Sequence, residues 1–221
     1  MVCISHRRGR HLERYHGRIF LAMVLYPGVQ KRAQTELDAV VGADRLPDPS
    51  DGSQSLLYVS ALVKELFRWH LATPIGAPHR AVADDEYNGF LIAAGATVFV
   101  NMWALLHDPE VYPQPDDFIP ERFLDAEGKL DVQGRDPTHV MFGFGRRLCP
   151  GRYFAESTLF TLCAAVLSAF EVGSPVGDSD GEFPVEVKRE ATDGGMVSHP
   201  KVHKYSLKPR SAQAARLAET A

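Results

Sequence analysis

The chain has 221 residues, 45% hydrophobic and 24% charged, a composition that supports a packed core and excludes a disordered or fibrous protein. That length suits one large domain or two small ones. A net charge of -4 and a pI near 6.1 lack the basic footprint of a nucleic-acid binder, and three cysteines, Cys3, Cys149 and Cys163, are too few and too odd in number for a disulfide framework, which points to a reducing compartment.

The first eighteen residues hold Arg7, Arg8, Arg10, Arg14 and Arg18 against Glu13 alone, a net +4 that leaves -8 for the remainder. With no apolar middle and one serine, this stretch is neither a secretory signal nor a good transit peptide, so residues 1–19 are expected to be a basic tail, disordered or foreign to the fold. An apolar piece from Phe20 to Tyr26 leads into Pro27, suited to a helical first turn, with Val29, Ala33, Leu37 and Val40 as one buried stripe. Gly42 to Ser55 reads as a surface loop. A helix from Leu56 to His70 presents Leu62, Val63, Leu66 and Phe67 as its apolar face.

From His79 to Val100 the pattern changes to short antiparallel strands with tight turns, marked by Asn88-Gly89 and Gly95. A short helix near Asn101 to Leu106 gives way to acidic coil punctuated by Pro109, Pro113, Pro115 and Pro120. A loop that long is uncommon unless it serves a site. Pro150 opens a helix over Gly151 to Phe170, with Phe154, Leu159, Leu162, Val166 and Phe170 at helical spacing. Short strands around Gly194-Gly195 follow, and residues 211–221 are expected to be a flexible tail. No apolar run reaches the roughly 18 to 20 residues of a membrane span. The fold class is therefore mainly α with small antiparallel β-sheets, an α+β chain.

The sharpest segment runs from Phe142 to Gly151. Gly143 and Gly145 allow a tight turn, while Arg146 and Arg147 place positive charge beside Cys149 at a helix start, making that residue a thiolate candidate. A phosphatase loop would need arginine where Ala155 stands. A dinucleotide loop would need glycine where Leu148 stands. A zinc site would want further ligands, and there is no C-x-x-C pair. An inert buried cysteine does not account for two adjacent arginines and three glycines.

The remaining reading is a haem ligand. Phe142-x-x-Gly145-x-Arg147-x-Cys149-x-Gly151 resembles, at every defined position, the cysteine-ligand signature of the cytochrome P-450 haem-thiolate monooxygenases, and the chain resembles fungal members. Glu65-Leu-Phe-Arg68 is similar to the family's E-x-x-R, and Pro120-Glu-Arg-Phe123 to its P-E-R-F segment. The resemblance spans Phe20 to Arg210 and implies the carboxy-terminal portion of the cytochrome P-450 fold. It further implies haem b held through the sulfur of Cys149, whose electron density favours O–O cleavage. Arg147 and Arg80 would hold the propionates, with His79 on the surface beside them. Phe142 would pack under the porphyrin, Gly145 and Gly151 would allow close approach, and Glu65, Arg68 and Arg122 would form a buried structural network. His107 would serve the turn at His107-Asp-Pro109, Phe144 fits plain core equally well, and Cys163 fills an apolar helix face.

The same resemblance implies a haem-dependent monooxygenase with an NADPH-dependent reductase as redox partner and a small lipophilic substrate, approached by the loops at Leu71 to Pro78 and near Gly194 to Val197. Family members usually sit on the endoplasmic-reticulum membrane, and this chain is expected to be cytoplasmic or peripheral. The family's oxygen-activating A-G-x-[DE]-T pattern is not found, since Gly42-Ala-Asp44 is followed by Arg45 and Gly95-Ala-Thr97 has no acid. No catalytic residue is therefore assigned. The expectation is a truncated chain; the alternative is a catalytically inactive fragment, or a haem-binding or interaction module without oxygenase activity.

Overall fold

The computed structural model describes residues 10–131, 135–174, 198 and 205–220. A proline has no N–H to lose at a helix start, and Pro27 opens α2 (Pro27–Val40) directly after α1 (Arg10–Leu25). α1 crosses the boundary expected at residue 19. Arg18 and Ile19 are fully buried, and the Arg18 guanidinium donates to the carbonyls of His70 and Ser198, so this arginine belongs to the packed domain and not to a tail. On α2, Ala33 and Leu37 are buried as expected, but Val40 is 43% exposed and Gln30 takes a buried place instead. The Gln30 amide exchanges hydrogen bonds with the backbone of Val172 at 2.9 and 2.8 Å, standing in for a strand partner.

The stretch read as a surface loop contains a 3-10 turn (Pro49–Asp51) and the single-turn α3 (Gly52–Ser55). It leads into the central helix α4 (Leu57–Trp69), which starts against a side chain from α2: Glu36 accepts from the N–H groups of Tyr58 and Val59 at 2.7 and 2.9 Å, satisfying donors that a helix start leaves unpaired. α4 is buried around most of its circumference. Val59, Leu62, Leu66 and Phe67 belong to one core cluster with Leu37 of α2 and with Leu159, Cys163 and Leu167, and α4 packs against α2, the last long helix of the chain and the Pro120–Phe123 turn. Each such side chain contributes about 1.5–3 kcal/mol by leaving water.

Among the described residues, three two-stranded antiparallel sheets accompany this helical body. β1 (His79–Arg80) pairs with β4 (Thr97–Val98), and between them β2 (Asp85–Tyr87) and β3 (Phe90–Ile92) form a hairpin. Asn88 and Gly89 both have positive φ, 51° and 82°, which a two-residue turn of this hand demands. α5 (Met102–Leu106) is capped by the Asn101 side chain, which accepts from Ala104 N–H at 3.0 Å. A 3-10 turn (Pro120–Phe123) and the short α6 (Thr138–Met141) precede the glycine-rich loop.

α7 (Arg152–Ala169) follows that loop, with Pro150 just outside it and Gly151 at its cap. Its buried line runs through Leu159, Cys163, Ala164 and Leu167. Phe154 lies off that line and is 66% exposed, since five residues before Leu159 is well over a quarter-turn away. Cys163 is fully buried, and burial pushes its thiol far up, as suits a small hydrophobe. β5 (Phe170–Gly173) pairs with β6 (Ser206–Pro209), and α8 (Ala212–Thr220), where a flexible tail was expected, packs on α7 and β6. The strands expected around Gly194-Gly195 and the substrate loop at Gly194 to Val197 lie outside the described residues, as does Cys3. Among the described residues no helix is long and apolar enough to cross a membrane.

Candidate functional site

Two groups of arginines divide the molecule. In the first, Arg68 is fully buried and uses all five of its N–H donors. Nε and Nη2 fork onto the Glu65 carboxylate at 2.7 and 2.8 Å, Nη1 reaches the carbonyls of Leu106 at 3.0 Å and Pro115 at 2.8 Å, and Nη2 also reaches the carbonyl of Asp117 at 3.0 Å. Glu65 Oε1 accepts in addition from Ile119 N–H at 2.9 Å and Arg122 Nε at 3.2 Å. Arg122 holds the Pro113 carbonyl at 2.8 Å, and Trp69 Nε1 donates to the carbonyl of Asp116 at 2.8 Å. Glu65, Arg68 and Arg122 are thus brought together, with their role set by the proline-rich coil: its carbonyls, left without helix or strand partners, are taken up by guanidinium forks from α4 and the 3-10 turn. Sequence reasoning missed these acceptors. The signal was there in the prolines, which remove N–H donors but leave every carbonyl needing one.

His107 sits beside this network, its ring stacked on Trp103 with centroids 4.5 Å apart and its backbone N–H closing the end of α5. Burial, and then the charge of Arg68, push its imidazole down to about 4. A second, smaller network lies at the foot of α7. Lys64 Nζ meets Asp136 at 2.7 Å, Thr138 donates to the same carboxylate at 2.7 Å, and Arg152 links Thr138 to Glu156.

The other group is open. Residues from Phe144 to Pro150 are all exposed, in a loop that turns through a 3-10 segment, Gly145–Arg147. Cys149 donates its N–H to the Phe142 carbonyl at 2.8 Å, closing the loop on itself, and Gly145 has φ +56°, a backbone that favours glycine. Phe142 is buried, its ring edge-on to Phe67 of α4 at 5.6 Å, which anchors the start of the loop in the core. Phe144, by contrast, is 44% exposed and not core. Cys149 is exposed and free. A Cβ at Gly151 would lie 3.7 Å from its Sγ, so glycine leaves one side of the sulfur clear.

β1 and β4 bring Arg80 to this loop. Arg80, His79, Val98, Phe144 and Gly145 border one open cavity of about 580 Å³, within the range of about 300–1,000 Å³ usual for small-molecule sites. The guanidinium groups of Arg80, Arg146 and Arg147 make no hydrogen bond or ion pair with any described residue. One unpartnered cation, Arg80, on a mainly apolar cavity that also holds Asp84 and Asp85, with Arg146, Arg147 and an exposed thiol on the adjoining loop, suits a flat apolar ligand that carries carboxylates and a metal accepting sulfur. The donor set therefore fits haem. Of the residues read as facing substrate, Leu71 and Ala72 are buried in the core, while Ile75 is 42% exposed. Among the described residues no cluster of three or more His, Cys, Asp or Glu could hold a further metal.

Comparison with known proteins bears on the same loop. The family model for cytochrome P-450 matches residues 18–201. The cytochrome P-450 monooxygenase claR of Ampulloclitocybe clavipes is 46% identical over 198 residues, covering 90% of this chain and 36% of that protein. Tryptamine 4-monooxygenase of Psilocybe cyanescens is 43% identical over 193 residues, covering 87% of this chain and 38% of that protein. Among solved structures, a zebra fish cytochrome P-450 with abiraterone superposes with a TM-score of 0.74 at 31% identity, covering 90% of this chain and 44% of its own. The chain thus spans 36% and 38% of the length of these two curated relatives.

Proposed function

Since the chain belongs to the cytochrome P-450 family, we propose that it carries the haem-thiolate portion of a monooxygenase site, with Cys149 as the iron ligand. The observation that carries this reading is the exposed Cys149 sulfur on a self-closed loop next to a cavity rimmed by an unpartnered Arg80. Haem b held there would supply the activation of molecular oxygen: with two electrons from an NADPH-dependent reductase and two protons, one oxygen atom would enter a small lipophilic substrate and the other would leave as water.

Everything else is work for the chain's own residues. Arg80 and Arg147 take the two propionates, a planar fork being better matched to a carboxylate than a point charge is. The Phe142 to Cys149 hydrogen bond presets the loop, so that little ordering is left to be done on binding. Gly151 keeps bulk off the sulfur, and Val98 and Phe144 supply apolar wall. Cys149, Arg147, Arg80, Gly145 and Gly151 act directly on the ligand. Phe142 acts by anchoring the loop, and Glu65, Arg68 and Arg122 by holding the coil.

The test is spectroscopic. Protein titrated with hemin, reduced and exposed to carbon monoxide is expected to show a red-shifted Soret band that Cys149→Ser abolishes. The same band in both proteins would assign the iron to another ligand and end the proposal. Turnover with a reductase then separates a monooxygenase from a haem-binding module.

A further inference from the structure

β1 and β4 are joined by a segment whose final turn is tied down at three places. Ala94 N–H donates to the Asp84 carboxylate at 2.6 Å, Gly95 N–H to the Ala81 carbonyl at 2.8 Å, and Ala96 N–H to the Ala93 carbonyl at 3.0 Å. Ala81 N–H returns a bond to the Ala96 carbonyl at 2.9 Å, next to the Arg80–Thr97 pair of the ladder. The turn is therefore held in place right beside Arg80.

Gly95 presents bare backbone to that arginine. A Cβ on residue 95 would stand 3.3 Å from Arg80 Nη2, 3.7 Å from Nε and 3.9 Å from Cζ. Three atoms of the guanidinium plane thus cover the place where a side chain would begin. Because the turn is fixed at three points and Arg80 has no polar partner among the described residues, the arginine is the element that must give way. We propose that Gly95 is a positioning residue for Arg80: its missing side chain lets the guanidinium lie flat on the turn and point its donors at a carboxylate of the ligand in the adjoining cavity. This rests on the reading of Arg80 as a propionate partner given above.

The structure contains its own control. Gly95 has φ +86° and Gly89, at the hairpin tip, φ +82°, but a Cβ at Gly89 meets nothing within 4 Å. Alanine at either position costs about the same backbone strain. Only at 95 does it touch Arg80.

The experiment measures the dissociation constants of hemin and of hemin dimethyl ester, whose propionates are blocked, for the parent, Gly95→Ala, Gly89→Ala, Arg80→Ala and the Gly95→Ala/Arg80→Ala pair. For hemin, Arg80→Ala is expected to weaken binding about tenfold and Gly95→Ala about threefold, the size of losing or loosening a charged hydrogen bond. Gly89→Ala should match the parent, the double variant should be no weaker than Arg80→Ala, and the ester should bind all five alike. Equal losses in Gly89→Ala and Gly95→Ala, or an undiminished Gly95→Ala effect without Arg80, would show that position 95 acts through the fold and overturn the inference. Unaltered hemin affinity in Arg80→Ala would instead overturn the propionate reading on which it stands.

Two further measurements cover the remaining cases. Gly95→Asn keeps a Cβ while tolerating the left-handed backbone, so it should weaken hemin binding even where Gly95→Ala folds poorly. In haem-free protein the Arg80 Nε–H resonance should shift in Gly95→Ala and stay put in Gly89→Ala. No shift in either would refute the contact directly.

Discussion

Arg68 and Arg80 are twelve positions apart in the same chain and carry the same fork of donors, yet one is fully buried with every donor used and the other is exposed with none used. The contrast separates holding from receiving. Around Arg68 the acceptors are the protein's own carboxylate and carbonyls, so the charge is spent internally and fixes a coil that has no regular structure. Around Arg80 nothing in the described chain competes for the guanidinium, which is the condition for offering it to a ligand.

The widest gap between the two regions should appear on removing Glu65. Glu65→Ala leaves two buried guanidinium groups and the Ile119 N–H without their acceptor, and is expected to cost about 3 to 5 kcal/mol in chemical denaturation. Glu65→Gln should fall between this and the parent. A loss of under about 1 kcal/mol would mean the network holds nothing.

A smaller effect, and one that depends on pH, belongs to His107. Its folded value is pushed down to about 4 from an ordinary 6.5, first by burial and then by Arg68. The unfolded chain takes up a proton near 6.5 that the folded chain refuses, so this contribution is complete above pH 6.5 and is lost as pH falls from there towards 4. Denaturation midpoints across that window should slope in the parent and flatten in His107→Gln. Identical slopes would remove His107 from the closed region.

Smaller still is the surface pair of Arg32 and Glu121, 2.7 Å apart with side chains 57% and 38% exposed. Arg32→Ala is expected to cost no more than about 1 kcal/mol, because exposed ion pairs are screened and spend side-chain entropy. At the bottom of the scale, Arg147→Ala should alter stability by less than about 0.5 kcal/mol, measured without haem. A larger loss would show that the open region also holds the fold together.

Much of this was legible beforehand. Pro27 and the Asn88-Gly89 pair marked a helix start and a hairpin turn because each sets its own backbone dihedral, and the structure puts both there. The glycine-rich loop was legible for the same reason, its spacing being contained in ten consecutive residues. Other features were hidden. Val40 is apolar and in phase with Ala33 and Leu37 yet exposed, since periodicity names a face without saying how far the neighbouring element extends along it, while Phe154 is exposed because it falls off the buried line of α7. Arg18 was grouped with the basic stretch before it, although carbonyls from His70 and Ser198, far along the chain, are what bury it.

Local chemistry was therefore settled by the order of residues: which segment turns, which bears a thiol beside two arginines, and where donors run short among the prolines. Whether a given arginine becomes a brace or a free hand was settled only by tertiary packing. A guanidinium is the same group wherever it occurs, and its fate depends on acceptors and solvent that elements distant in the chain bring to it or keep away.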